Sequence, residues 1–317
     1  MNKKITLLII SLMLLITPSI GCLDKKDENN NKINIVATFY PLAYIANEIG
    51  GIYVNVHQLI PDNTDVHNWQ PSPSDIININ KADIILYNGA GLDKWIEDDI
   101  IPSIDTTDKI IVETTSNIEL LEKDQSFHNE EGEQGHPPEH TLYDPHTWIS
   151  PYTAMQQAEN IHKALITKDP GHGEYYNKRW NTLRDKLISI DDAYKKTLSD
   201  KQKDIIFVTH AAFGYLAHRY SFKQYGVIGL TADEQPSIET LKKIVDMMIE
   251  NDTYTIYIDF IYTSEYAQTL KNTIESKTQH EVQILKLYLM TGVIDGLDYI
   301  EQLSKNLDNL KIGLQAT

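Results

Sequence analysis

The chain has 317 residues, a formal net charge of −17 and a single cysteine. The negative charge excludes an electrostatic grip on nucleic acid or anionic lipid, and the lone cysteine excludes an intramolecular disulfide and a thiolate metal cluster. A chain of this length can bury a sufficient core without such staples, in one large or two medium domains.

Lys3 and Lys4 precede an apolar run from Ile5 to Ile16, the charge-then-apolar order of a secretory signal peptide over residues 1–21. The run is shorter than the ~20 residues a spanning helix needs. It ends at Ser19-Ile20-Gly21-Cys22, which resembles a bacterial-type lipobox. That resemblance implies cleavage before Cys22, acylation of its thiol, and an exported protein held by lipid at the outer face of the cytoplasmic membrane or in the periplasm. The alternative is an ordinary cleaved signal with an incidental cysteine. Residues 22–32 are polar and Asn-rich and read as a tether.

A βα rhythm begins at Ile33. Ile33–Thr38 is predicted as a strand, Pro41–Gly50 as a helix, and Tyr53–Ile60 as a strand stopped by Pro61-Asp62-Asn63. Ser74–Asn80 is predicted helical, with strands at Asp83–Tyr87 and Lys109–Val112. Residues 122–141 are acidic, broken by Gly and Pro, and aperiodic; they read as a long exposed loop carrying His128, His136 and His140. Pro151–Ile166 is predicted helical. Tyr176, Trp180, Leu183, Leu187, Ile190, Tyr194 and Leu198 then recur at helical spacing, marking a long helix within residues 173–200. The rhythm resumes with strands at Asp204–Thr209, Gln224–Leu230, Thr255–Asp259 and Glu281–Leu285. Helices alternate with them at Phe213–Tyr220, Pro236–Ile249, Ser264–Ser276 and Leu297–Leu314. Such alternation implies an α/β protein with parallel sheets covered by helices: a lobe over residues 33–172, a linking helix, and a second lobe over residues 201–317.

Of eleven histidines, three share a placement. His67 follows the second predicted strand, His210 directly follows Ile205–Thr209, and His146 sits in a turn bracketed by Pro145 and Pro151. In open α/β sheets ligands bind beyond the carboxyl ends of the strands, so these side chains are expected at a cleft between the lobes. Three imidazoles suit a four-coordinate zinc ion with one position left over. Asp65, Asp144 and Asp259 are candidates to tie down the second ring nitrogens. On placement alone, ligand and ordinary surface or core histidine remain equally open.

The surrounding residues add a pattern. Pro61 to Pro73, with His67 followed by Trp69-Gln70-Pro71-Ser72-Pro73, resembles the first metal segment of the cluster A-I substrate-binding proteins of zinc and manganese ABC importers. Asp144-Pro145-His146-Thr147-Trp148-Ile149-Ser150-Pro151 is similar to the second segment, and Thr209-His210-Ala211-Ala212-Phe213-Gly214-Tyr215-Leu216-Ala217 resembles the third. Thr38-Phe39-Tyr40-Pro41-Leu42 looks like the family's opening. The resemblance runs from about Ile33 to the C-terminus. It implies two (β/α) lobes joined by a rigid long helix, with metal in the cleft at His67, His146 and His210. It also implies a permease and an ATPase as partners of a monomeric binding protein. A histidine at the third position resembles the zinc branch; the manganese branch more often has Glu there. The family's carboxylate near the last strand has no counterpart in Leu285-Lys286-Leu287-Tyr288-Leu289-Met290, which opens the fourth ligand to water, a distal carboxylate or a loop histidine. The loop histidines resemble the family's accessory zinc-collecting loop.

Two other classes share parts of this pattern. A zinc hydrolase would also use three histidines and an open position, but no HExxH helix, GxSxG elbow or phosphate loop is present, and a non-enzyme is expected. A surface adhesin is suggested by eighteen tyrosines and four tryptophans, although most fall at core-periodic positions.

Overall fold

The computed structural model describes residues 32–122, 142–229, 236–261 and 264–317. Cys22 and the loop histidines His128, His136 and His140 lie outside the described residues. Ile33–Thr317 forms one compact unit.

The first half contributes strands β1 (Ile33–Ala37), β2 (Val54–Gln58), β3 (Ile84–Tyr87) and β4 (Ile110–Glu113). The second contributes β5 (Ile205–His210), β6 (Lys223–Ile228), β7 (Thr255–Ile258) and β8 (Gln283–Lys286). The two sheets have the same order, β2-β1-β3-β4 and β6-β5-β7-β8, and every pairing is parallel. Central strands β3 and β5 are buried at every residue, as apolar runs covered on both faces must be. In each order the second strand to be laid down lies on one side of the first and the third on the other. That reversal opens a crevice at the carboxyl ends of β1 and β3 and another at those of β5 and β7.

Helices α1 (Tyr40–Gly50), α2 (Pro73–Lys81), α3 (Pro151–Lys168) and α4 (Gly173–Thr197) precede β5. After it come α5 (Gly214–Arg219), α6 (Ile238–Glu250), α7 (Glu265–Thr278) and α8 (Tyr299–Gly313). Local chemistry sets several starts. Ser72 and Asp75 form a capping box at α2 with Pro73 in its first turn, and Asp298 and Glu301 do the same at α8, satisfying otherwise orphaned N–H groups.

The long helix α4 has 25 residues, or ~37 Å at 1.5 Å per residue. Its stripe of Tyr176, Trp180, Leu183, Leu187 and Tyr194 is buried. It packs against α1 and α3 from the first half and α8 from the second, and the Tyr194 hydroxyl donates to the Leu303 carbonyl at 2.7 Å. One buried apolar cluster includes side chains from both halves, among them Ile35, Trp148, Tyr194, Val208 and Leu303.

The eight predicted strands all form, with ends shifted by a few residues. One unanticipated feature is a π-helical turn at Ile96–Ile100 followed by a 3-10 turn at Ile101–Ser103. Trp95, Ile96 and Ile100 bury there against Val36, Ile79 and Ile85, so tertiary packing, not a hydrophobic period, selects that conformation.

Candidate metal site

The three histidines reach one point from three different segments. His67 lies in the loop between β2 and α2, where Asp65 accepts a hydrogen bond from the His67 backbone N–H at 2.9 Å and one from the Asn68 amide at 3.1 Å. His146 immediately precedes a 3-10 turn at Thr147–Ile149 that leads into α3, and Trp148 pins this turn by donating its ring N–H to the Leu289 carbonyl at 2.8 Å. His210 is the last residue of β5, at the crevice of the second sheet.

Ring centroids are 5.2 Å apart for His67 and His146, 5.7 Å for His67 and His210, and 5.1 Å for His146 and His210. One ring nitrogen from each lies within 4.8 Å of the others. The Nε2 atoms of His67 and His146 are 3.3 Å apart. Two nitrogens ~2.05 Å from a tetrahedral zinc would themselves be ~3.3 Å apart, so this spacing matches an edge of the coordination tetrahedron. His146 and His210 are buried and His67 is half-buried. Burial drives the His67 and His146 pKa values well below the ordinary imidazole range, and the neighbouring imidazoles push the same way. Both rings are therefore neutral and ready to donate lone pairs near neutral pH.

The three aspartates do different things. Asp144 Oδ1 lies 2.7 Å from Nδ1 of His146 and accepts the backbone N–H of the same residue at 2.9 Å, fixing the ring with Nε2 toward the cluster. Burial raises the Asp144 pKa to about 7, against the lowering effect of the His146 N–H and His210. Asp259 accepts from the Thr209 hydroxyl at 3.0 Å and the Ile261 N–H at 3.0 Å, steadying the residue before His210. Asp65 shapes the backbone turn into His67.

No carboxylate belongs to this cluster among the described residues. Lys286 is engaged elsewhere: its Nζ is 3.1 Å from Asp295 Oδ2 and 4.0 Å from the Phe260 ring centroid. Sequence reasoning gave no role to Asn88 or Asp93, and quoted Gly214 and Tyr215 only as part of the third segment. The Tyr215 hydroxyl donates to the Asp144 carbonyl at 2.8 Å. A Cβ on Gly214 would lie 2.3 Å from Asp144 Oδ2. The available signals were the Asn88-Gly89 pair directly after the strand predicted at Asp83–Tyr87 and Gly214 four residues after His210.

Fold and site together define a two-lobed α/β binding protein with three converging histidines. The chain belongs to the family described as ZnuA, zinc-uptake complex component A, periplasmic, which matches residues 35–313. It is 32% identical over 292 residues to the high-affinity zinc uptake system protein ZnuA of Bacillus subtilis, covering 91% of this chain and 89% of that one. The solved Zn(II)-bound ZnuA-like domain of Streptococcus pneumoniae AdcA superposes with TM-score 0.73 at 28% identity, covering 89% of this chain and 99% of that one. The laminin-binding protein Lmb of Streptococcus agalactiae, described as having adhesin and metal-transporting activity, superposes with TM-score 0.77 at 25% identity and the same coverage.

Proposed function

We propose that this protein captures zinc outside the cytoplasmic membrane and delivers it to the permease and ATPase of an ABC importer. The carrying observation is the convergence of His67, His146 and His210, whose nitrogens lie within 4.8 Å of one another. In this reading the three imidazoles bind zinc, Asp144 orients His146, and water takes the fourth position. Manganese is disfavoured because an all-imidazole set lacks the oxygen donors it prefers. Residues 33–172 and 201–317 act as lobes joined by the helix within 173–200. Cys22 carries the lipid anchor of a monomer, and His128, His136 and His140 collect zinc for the cleft. In this reading the protein is a carrier, with Asp144 Oδ1 committed to orienting His146.

The test is titration calorimetry of the signal-less apo protein with zinc and manganese, repeated on His210→Ala and on a variant lacking residues 123–141. One tight zinc site that disappears in His210→Ala and persists without the loop supports the reading. Weak wild-type binding, or binding indifferent to His210, overturns it. The likeness to Lmb favours a second reading, surface adhesion, which would appear as laminin binding that survives chelation.

A further inference from the structure

The carboxyl end of β3 holds a buried polar network that the zinc reading leaves unused. Asn88 is fully buried. Its Nδ2 donates to the Pro145 carbonyl at 2.9 Å and to the Gly89 carbonyl at 3.1 Å. Its Oδ1 accepts from Gln157 Nε2 at 3.0 Å and meets the Thr147 hydroxyl at 3.5 Å. All the donor and acceptor capacity of the carboxamide is engaged, so flipping it would set NH2 against NH2 and carbonyl against carbonyl. Pro145 and Thr147 are the two neighbours of His146, and Asn88 holds both.

The turn that presents Asn88 is organised by Asp93, also buried. Its carboxylate accepts from the Asn88 N–H at 2.7 Å, the Gly89 N–H at 2.9 Å and the Thr38 hydroxyl at 2.7 Å. Thr38 follows β1, so this network fills the crevice of the first sheet and braces the His146 segment from behind. Asp144 fixes the rotation of the His146 ring, whereas Asn88 fixes where the backbone carries it.

We propose that Asn88, oriented by Asp93 and Gln157, is a positioning residue for zinc affinity that acts through the Pro145 carbonyl and the Thr147 hydroxyl on either side of His146. The inference rests on the zinc-capture reading. A site held within about half an ångström depends on such supports, and residues supporting a metal ligand typically contribute about 10–100-fold in affinity.

The test compares zinc Kd, by chelator competition, with the apo unfolding temperature and the visible spectrum of the cobalt(II) form. The variants are Asn88→Asp, which keeps shape but loses the donor to Pro145, and Gln157→Leu. Gln157 Oε1 has no hydrogen-bond partner among the described residues, and Nε2 bonds to Asn88 Oδ1 and Thr114 Oγ1; the leucine removes those two bonds without burying a new charge and should fold even if the aspartate does not. Ile79→Ala, in the separate core cluster behind β3, is the stability control. The expected result is a Kd raised about 10–100-fold in Asn88→Asp and several-fold in Gln157→Leu, with an altered cobalt spectrum. Ile79→Ala should unfold at lower temperature with unchanged Kd and spectrum. Wild-type Kd and spectrum in the folded Asn88 and Gln157 variants would overturn the positioning role while leaving zinc capture intact. A wild type that binds no zinc would overturn both.

Discussion

Asp144 Oδ1 receives both the His146 backbone N–H at 2.9 Å and the His146 ring at Nδ1, 2.7 Å away. One oxygen thereby sets the tautomer and the rotation of the ring, leaving Nε2 facing His67. Asp144→Ala should raise the zinc Kd by about 10–100-fold while the site still binds one ion. Competition with a chelator of known affinity measures this directly. An unchanged Kd would mean that Asp144 does not orient the ligand.

Gly214, at the start of α5, closes over the same carboxylate from the second half of the chain. Because a Cβ there would fall 2.3 Å from Asp144 Oδ2, and Asp144 is buried, Gly214→Ala should displace the carboxylate or α5. The expected cost is about 1–3 kcal/mol in stability, accompanied by weaker zinc binding. Urea denaturation of the apo protein together with zinc titration separates the two effects. Retained stability and affinity would show that the carboxylate moves without consequence.

Much of this architecture is legible in the sequence because its signals are local. β-branched runs such as Ile205–Val208, the Pro61-Asp62-Asn63 turn and the stripe from Tyr176 to Leu198 each report their own conformation. The histidines are legible as strand-end and turn residues. The relationships that make the site are not local. Asp144 and Gly214 are 70 positions apart, and Asn88 meets Pro145 across 57 residues. Asn88 reads in the sequence as a strand breaker because its role is written in what packs over it. The π-helical turn at Ile96–Ile100 is hidden for the same reason, being chosen by the pocket that Trp95 and Ile96 fill.

The loop that leads to His67 is fastened to the second half of the chain at residues 291–293. The Asn63 N–H donates to the Thr291 carbonyl at 3.0 Å and its side-chain amide to the Val293 carbonyl at 3.2 Å. Gly292 permits this close approach: a Cβ would sit 2.6 Å from that of Asp62 and 2.9 Å from Asn63 N. Gly292→Ala should therefore part the two segments and loosen His67. The expected readout is faster zinc release in stopped-flow chelator experiments, with the secondary structure unchanged by circular dichroism. A release rate equal to wild type would remove this contact from the account of zinc retention.

Asp191 on α4 gathers Arg219 and Tyr220 at the end of α5, with Lys195 one helical turn along. Arg219 Nε and Nη2 approach its two oxygens at 2.5 and 2.6 Å, the Tyr220 hydroxyl donates at 2.8 Å, and Lys195 Nζ lies 2.8 Å away. Burial works to raise the Asp191 pKa, but the hydrogen bonds from Arg219, Lys195 and Tyr220 outweigh it and hold the carboxyl at about 2. A carboxylate depressed in the folded state stabilises the fold above its unfolded pKa of ~3.9, and that contribution fades as pH falls toward the folded value. Between about pH 4 and pH 2, wild type should lose stability faster than Asp191→Asn. At neutral pH the substitution should cost more than the ~1 kcal/mol of an exposed pair and less than the ~3–5 kcal/mol of a fully buried one, since Arg219 is partly solvated. Denaturation midpoints across pH 2–7 decide it. Parallel acid limbs for the two proteins would show that Asp191 is not what ties α4 to α5.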